Sequence, residues 1–246
     1  MNYHWDWSIF SQTTITTVDR YWQWMLSGLT LTVLIALLAW VIALALGVLL
    51  GIARTLPFRP VRTAVSVYVE VFRNIPLLVQ LFFWYYIVPV FLPLSVQDVL
   101  NTAHPVAVQA ATATLCLGLF TAARVCEQVR AGIEAQPPGQ FSAALALGLK
   151  RHQVYRYVIL PMAFRVILPP LTSEFLNVFK NTAVVLTIGL LELTAQSRQI
   201  GEFTGHIFEV FIVATLLYFL IAQTVSRLME RLERRLTIPG ESGGGR

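Results

Sequence analysis

Two short sets of residues could do chemistry in an otherwise apolar chain. Arg73, Pro76, Leu77 and Gln80, with Glu70 one turn earlier, fall within one arc of an α-helix at 3.6 residues per turn. Glu174, Asn177 and Asn181 keep i, i+3, i+7 spacing, with Lys180 flanking the same face. Together they offer guanidinium, ammonium and amide donors beside carboxylate and amide acceptors. That set suits non-covalent capture of a small polar solute rather than bond-making. Covalent chemistry lacks its parts: His104 and His206 fall at the ends of apolar runs with no serine partner at depth, His152 lies in a polar loop, and His4 is near the N-terminus. Cys116 and Cys126 sit on different helical faces of one apolar run and read as small core hydrophobes, with no metal-ligand spacing and no disulfide. No cofactor or metal is expected.

The same residues also have plain structural uses. Arg73, Arg124 and Glu127, near the ends of apolar runs, suit snorkelling or interhelical ion pairs. Gln80 and Asn177 suit hydrogen bonds between helices, and Glu174 with Lys180 suits a pair within one helix. Two polar faces, each with a proline nearby, favour a polar cavity near mid-membrane over a set of isolated contacts. Pro76 removes a backbone hydrogen bond, so the helix is predicted to bend or loosen beside its polar face.

The elements that must position these groups follow from composition. The 246 residues are 56% hydrophobic with a mean hydropathy of +0.66, too apolar for a soluble domain. Segments 28–53, 64–90, 104–126, 166–190 and 207–228 are long enough to cross a bilayer as helices, and 28–53 carries no charge. Their continuous apolar runs exclude a membrane β-barrel. The fold expected is all-α: a polytopic helical membrane protein of about five spans. Residues 1–27 form an external or interfacial segment, 28–228 the membrane domain, and 229–246 a cytoplasmic tail. Pro169-Pro170 are expected at the start of the fourth span.

Basic residues orient the bundle. Arg54, Arg59 and Arg62 fill the first connection, Arg130, Lys150, Arg151, Arg156 and Arg165 the long third one, and Arg227, Arg231, Arg234 and Arg235 the C-terminal end. The connection around 92–103 holds only Asp98. The positive-inside rule therefore places the N-terminus outside and the C-terminus inside. Trp5, Trp7, Trp22 and Trp24 are expected at interfacial depth on the outer side. The net charge of +5 follows from this topology and from anionic head groups; no nucleic-acid partner is expected. The N-terminal region lacks the basic start and short apolar core of a cleavable signal.

The third connection carries a pattern of its own. After the break at Pro137-Pro138-Gly139, Phe141, Leu145 and Leu149 recur at four-residue spacing, followed by Lys150 and Arg151. A short amphipathic helix in a cytoplasmic loop suits docking of a partner. Here the chain resembles the permeases of ABC importers, whose coupling loop reads Glu-Ala-Ala, three residues, Gly, nine residues, Ile-x-Leu-Pro. Ala143, Ala144, Gly148, Leu160 and Pro161 match in place, Val158 stands for the isoleucine, and Ser142 replaces the glutamate. The segments YVEVFRNIPLLVQ (68–80), EQVRAGIEAQPPGQ (127–140) and SEFLNVFKNTAV (173–184) resemble the polar amino-acid subfamily, closest in appearance to its glutamate/aspartate permeases.

That resemblance implies a bacterial inner-membrane subunit that works with a second permease, two cytoplasmic ATPase subunits and an external amino-acid-binding protein. The chain has no Gly-x-x-x-x-Gly-Lys-Ser/Thr phosphate loop, so it is expected to be no enzyme and to take its energy from the ATPase. Residues 140–152 are expected to dock there as a helix, with Phe141, Leu145 and Leu149 buried and Lys150 and Arg151 pairing at the rim. Solute would cross by alternating access. Members of the subfamily often carry aspartate where this chain has Asn181, so the resemblance implies a less negative cavity, suited to an anionic or neutral amino acid. Glu174 opposes that unless it takes the substrate's ammonium group or pairs with Lys180. The competing class is a small dimeric ion-coupled secondary transporter, separated by its independence of ATP.

Overall fold

Long uncharged sequence becomes long helix, because backbone groups in hydrocarbon must be satisfied within the segment itself. A computed structural model of the protein describes residues 3–14 and 18–236, and among these every regular element is helical apart from one isolated bridge between Thr13 and Arg20. Helix α1 spans Tyr21–Thr55, starting well before the apolar run at residue 28. Then follow α2, Arg59–Asn74, and α3, Leu77–Phe82, which runs on through a π turn at Phe83–Ile87 and a 3-10 turn at Val88–Phe91. The expected loosening at Pro76 is a complete interruption: Pro76 is extended (ψ 138°) and caps α3 instead of continuing α2.

Helix α4, Leu94–Thr102, forms in what the sequence offered as a bare connection. Helix α5 covers Pro105–Glu134, and α6 and α7 cover Pro138–Ala146 and Arg151–Val154. A π turn at Tyr155–Ile159 leads into α8, Leu160–Asn181, and a 3-10 stretch, Thr182–Ile188, continues it. Pro169 and Pro170 lie inside α8 rather than at its start, since the span begins near Arg151 and not near residue 166. Helices α9, Leu193–Thr204, and α10, Ile207–Leu236, complete the chain. Four helices are long and apolar enough to cross a membrane, and five spans result if the broken α2–α3 pair counts as one. Of the tail expected over 229–246, the first part prolongs α10 and residues 237–246 lie outside the described residues.

Two compact units result, each drawn from three stretches of chain. In the unit of Met1–Val41, Ile75–Gly118 and Asn177–Gln223, Ile9, Tyr21, Met25, Leu193, Ile200, Val210 and Ala214 form an apolar cluster. Trp24 packs against that cluster, whereas Trp5, Trp7 and Trp22 stay exposed as interfacial tryptophans would. The unit of Ile42–Asn74, Leu119–Leu176 and Thr224–Arg246 clusters Val65, Val69, Ala123 and Cys126. Here α1 meets α5 backbone to backbone: a Cβ added at Gly47 would lie 2.6 Å from Val125 Cβ, and one at Gly51 2.6 Å from Val129 Cβ. The spacing Gly47-x-x-x-Gly51 is a small-residue seam of the kind that lets membrane helices approach closely. Cys116 and Cys126 are fully buried free thiols, in keeping with their reading as core residues.

Candidate functional site

In the unit built on α2, α5 and the first part of α8, ionic groups from four helices meet. Glu127 of α5 accepts hydrogen bonds from Arg54 of α1 and from Arg130 of its own helix (Nε, 3.1 Å), and lies 3.9 Å from Arg73 of α2. Arg73 therefore serves an interhelical ion pair. Glu174 of α8 pairs with Arg124 of α5 at 3.8 Å and accepts from Gln128 Nε2 at 3.4 Å. Lys180 is exposed and is not its partner. Because α5 runs on to Glu134, Arg124 lies about 15 Å short of the helix end, not at the end of the span as the apolar run suggested. Its guanidinium sits over the Phe120 ring at 4.9 Å.

In the other unit, Gln80 is 6% exposed in α3, and its Nε2 donates to the Ile75 carbonyl at 2.8 Å, satisfying an acceptor that the Pro76 break releases. Leu77 is half-buried and Pro76 exposed. Asn177 and Asn181 are half-buried near the end of α8, and with Lys180 they form no side-chain hydrogen bond or ion pair among the described residues. Helix α3 packs on the 3-10 stretch Thr182–Ile188 that follows them. The eight predicted solute residues thus divide: Arg73 and Glu174 belong to one unit, and Pro76, Leu77, Gln80, Asn177, Lys180 and Asn181 to the other.

A carboxylate that the sequence did not single out holds this second unit. Glu192 is fully buried and caps α9, accepting from the Thr194 and Ala195 N–H groups (3.0 and 2.9 Å), the Tyr218 hydroxyl (3.0 Å) and Thr32 Oγ1 (3.3 Å). Burial pushes its carboxyl up from the usual range, opposed by these four donors. Near the N-terminus the Tyr3 hydroxyl donates to Glu209, and burial followed by that carboxylate raises Tyr3 to about 12. Asp6 is held low by the Ser8 hydroxyl and N–H.

The connection between α5 and α8 is not one helix over 140–152. Helix α6 stops at Ala146 because Gly148 turns left-handed (φ 82°), its N–H donating to Leu145 O (2.9 Å) while Leu149 N–H donates to Ala144 O (3.3 Å). That pair of bonds is a Schellman C-cap. Lys150 and Arg151 start the next helix, where Gln153 Oε1 accepts from the Lys150 N–H at 2.8 Å. Phe141 packs edge-on against Tyr155 and beneath Arg151 (5.6 Å), so both are engaged within the hairpin. Ala144 is buried, Ser142 and Ala143 are exposed, and Leu149 is half-buried. What faces outward is Leu145, 44% exposed, with Leu147, 83% exposed and not anticipated from the four-residue repeat.

The connection between α5 and α8 is thus two short helices parted by a left-handed turn, with two leucines facing outward. Residues 43–238 match the family described as binding-protein-dependent transport system inner membrane component. The chain belongs to this family. As such a component it is multi-pass and supplies the membrane path, not the ATPase. It is 44% identical to the glutamate/aspartate import permease protein GltJ of Escherichia coli (strain K12), over 99% of this chain and 100% of that one. Its identity with GltK of Escherichia coli O157:H7, also a glutamate/aspartate import permease protein, is 35% over 95% and 99% of the two chains. Among solved structures, an amino acid ABC transporter crystallised with histidines matches with a TM-score of 0.74 and 33% identity, covering 87% of this chain and 95% of that one.

Proposed function

We propose that this component imports acidic amino acids, glutamate and aspartate, across the bacterial inner membrane. The observation that carries the reading is the end-to-end 44% identity to a glutamate/aspartate permease. Asn181 in place of a carboxylate keeps negative charge off the end of α8, which favours an anionic solute. In this reading Arg73, Pro76, Leu77, Gln80, Glu174, Asn177, Lys180 and Asn181 contribute to the solute path, within a permease domain over 28–228. The partners are a second permease subunit, identical or related, two cytoplasmic ATPase subunits and an external binding protein. The hairpin around Gly148 docks on the ATPase, with Leu145 and Leu147 entering an apolar groove and Ser142, Ala143 and Lys150 at its rim. ATP-driven closure moves the hairpin and shifts the spans between two states.

The test is to purify the complex with its binding protein and measure which amino acids stimulate ATP hydrolysis. Glutamate and aspartate are expected to do so. Stimulation by a cationic amino acid alone refutes the substrate class, and ion-gradient uptake without ATP refutes the energy source.

A further inference from the structure

The C-terminal end of α10 carries charges that the rest of the molecule leaves unanswered. Arg227, Arg231, Arg234 and Arg235 are all exposed, and none forms a hydrogen bond or ion pair among the described residues. At about 100° per residue they fall within an arc of about 100°, a single basic stripe. Elsewhere in the chain, arginines with a carboxylate in reach use it: Arg54 and Arg130 meet Glu127, and Arg198 meets Glu202 one turn on. On α10 the carboxylates do not serve the arginines. Glu230 stands at i, i+4 spacing from Arg234 without pairing, and Glu233 is turned to Thr172 of α8 (2.9 Å). The stripe keeps its full charge, on the side of the helix away from α8.

Depth decides what the stripe faces. A helix crosses hydrocarbon in about 20 residues, which takes α10 from Ile207 to about residue 226. Arg227 is therefore the first residue past the hydrocarbon edge, and Arg235 lies about 12 Å farther along the axis. Between them they span the headgroup layer. Leu228 and Leu232 border the stripe on the same helix and are both exposed. Leucines beside arginines at this depth match the boundary between acyl chains and headgroups, where arginine stems lie on apolar surface and their guanidinium heads reach phosphate. A soluble partner would have to enter the headgroup layer to meet Arg227. We propose that this stripe is a docking surface for anionic phospholipids, its guanidinium groups holding their phosphates through paired hydrogen bonds. The folded protein thereby selects anionic over zwitterionic lipid at α10 whatever solute it carries, whereas the positive-inside rule concerns only how the chain inserts.

The experiment places an uncharged fluorophore beside the stripe through Leu228→Cys, since Cys116 and Cys126 are buried and stay unlabelled in folded protein. The labelled full chain, in its complete complex, is reconstituted in phosphatidylcholine bilayers. A trace lipid carries a nitroxide quencher high on one acyl chain, and is either phosphatidylglycerol or phosphatidylcholine at the same mole fraction. At about 0.1 M salt, phosphatidylglycerol is expected to quench about fivefold more effectively, the preference that one arginine contributes at an anionic surface. At about 1 M salt the ratio should approach one, because the screening length falls from about 10 Å to about 3 Å. With Arg227, Arg231, Arg234 and Arg235 all changed to Gln, the preference should vanish while quenching by phosphatidylcholine persists. Equal quenching by the two lipids at low salt overturns the proposal, as does a preference that survives the four substitutions. Little quenching by either lipid overturns it too, by placing the stripe against protein or in open water. Should the four-Gln variant fail to assemble, a preference unmoved by salt in the Leu228→Cys protein is itself disqualifying.

Discussion

Replacing Gly47 by alanine puts one methyl group where α1 and α5 have no room for it. The added Cβ would lie 2.6 Å from both Cβ and Cγ1 of Val125 and 2.9 Å from the Ala122 carbonyl oxygen. Relaxed carbon contacts need about 3.5–4.0 Å, so the helices must separate by about 1 Å. Shortening Val125 to alanine cannot relieve this, because its own Cβ is one of the clashing atoms. Overpacking of this kind costs about 1–3 kcal/mol, and alanine in place of glycine within a helix returns about 0.5–1 kcal/mol. The net loss is about 1–2 kcal/mol, or a fall in Tm of roughly 2–8 °C for a chain of this size. Gly51→Ala meets Val129 Cβ at 2.6 Å and the Cys126 carbonyl at 2.9 Å and should behave alike. The two lie one turn apart on the same seam, so once one methyl has lifted α1 the second has less to displace. The double variant should lose less than the sum.

The chain carries its own reporter of unfolding. Its two cysteines, Cys116 and Cys126, are both fully buried, so a thiol-reactive fluorogenic dye labels only opened protein during a thermal ramp. Gly139→Ala is the control: a Cβ there meets nothing within 4 Å, and Tm should hold or rise slightly. If Gly47→Ala and Gly51→Ala both melt with the wild type, α1 and α5 do not pack backbone to backbone and the seam is wrong.

Gly148→Ala adds no clash, since nothing lies within 4 Å, but it forces an L-residue into φ 82°, at a cost of about 1–2 kcal/mol. The complex should still assemble while solute imported per ATP hydrolysed falls, with Gly148→Asn less affected; an unchanged ratio in the alanine variant would separate this turn from coupling. Glu127→Gln leaves Arg54, Arg73 and Arg130 facing one another without their shared carboxylate. With the site partly exposed, about 2 kcal/mol is expected to be lost, a Tm drop of roughly 4–8 °C in the same dye assay, and no drop would mean that the cluster is only a solvated charge pattern.

Much of the fold was legible because hydrocarbon leaves few choices. Five apolar runs gave five spans once α2 and α3 are counted together, and Pro76 marked where the second breaks. Span limits were less legible: α5 carries Glu127, Arg130 and Glu134 past its apolar run, because those charges are neutralised among themselves and by Arg54. The segment expected to couple differs in shape from that expectation. A four-residue repeat through Leu149 implied one helix, whereas the left-handed Gly148 ends it and leaves Leu145 and Leu147 outward. Glu192 gave no signal as a cap, since its value depends on Thr32 and Tyr218, far away in sequence.

By itself, then, the sequence determined the helical membrane class and the number of spans, because both depend on local composition: the length and continuity of the apolar runs. Only the tertiary structure decided which polar groups share a partner. Side-chain periodicity puts Arg73, Glu127 and Glu174 on faces of their own helices, but it is silent on which helix lies opposite. That pairing drew Arg73 to Glu127 and set Glu174 beside Arg124 instead of Lys180. The partner, not the residue, decides how a buried charge is satisfied.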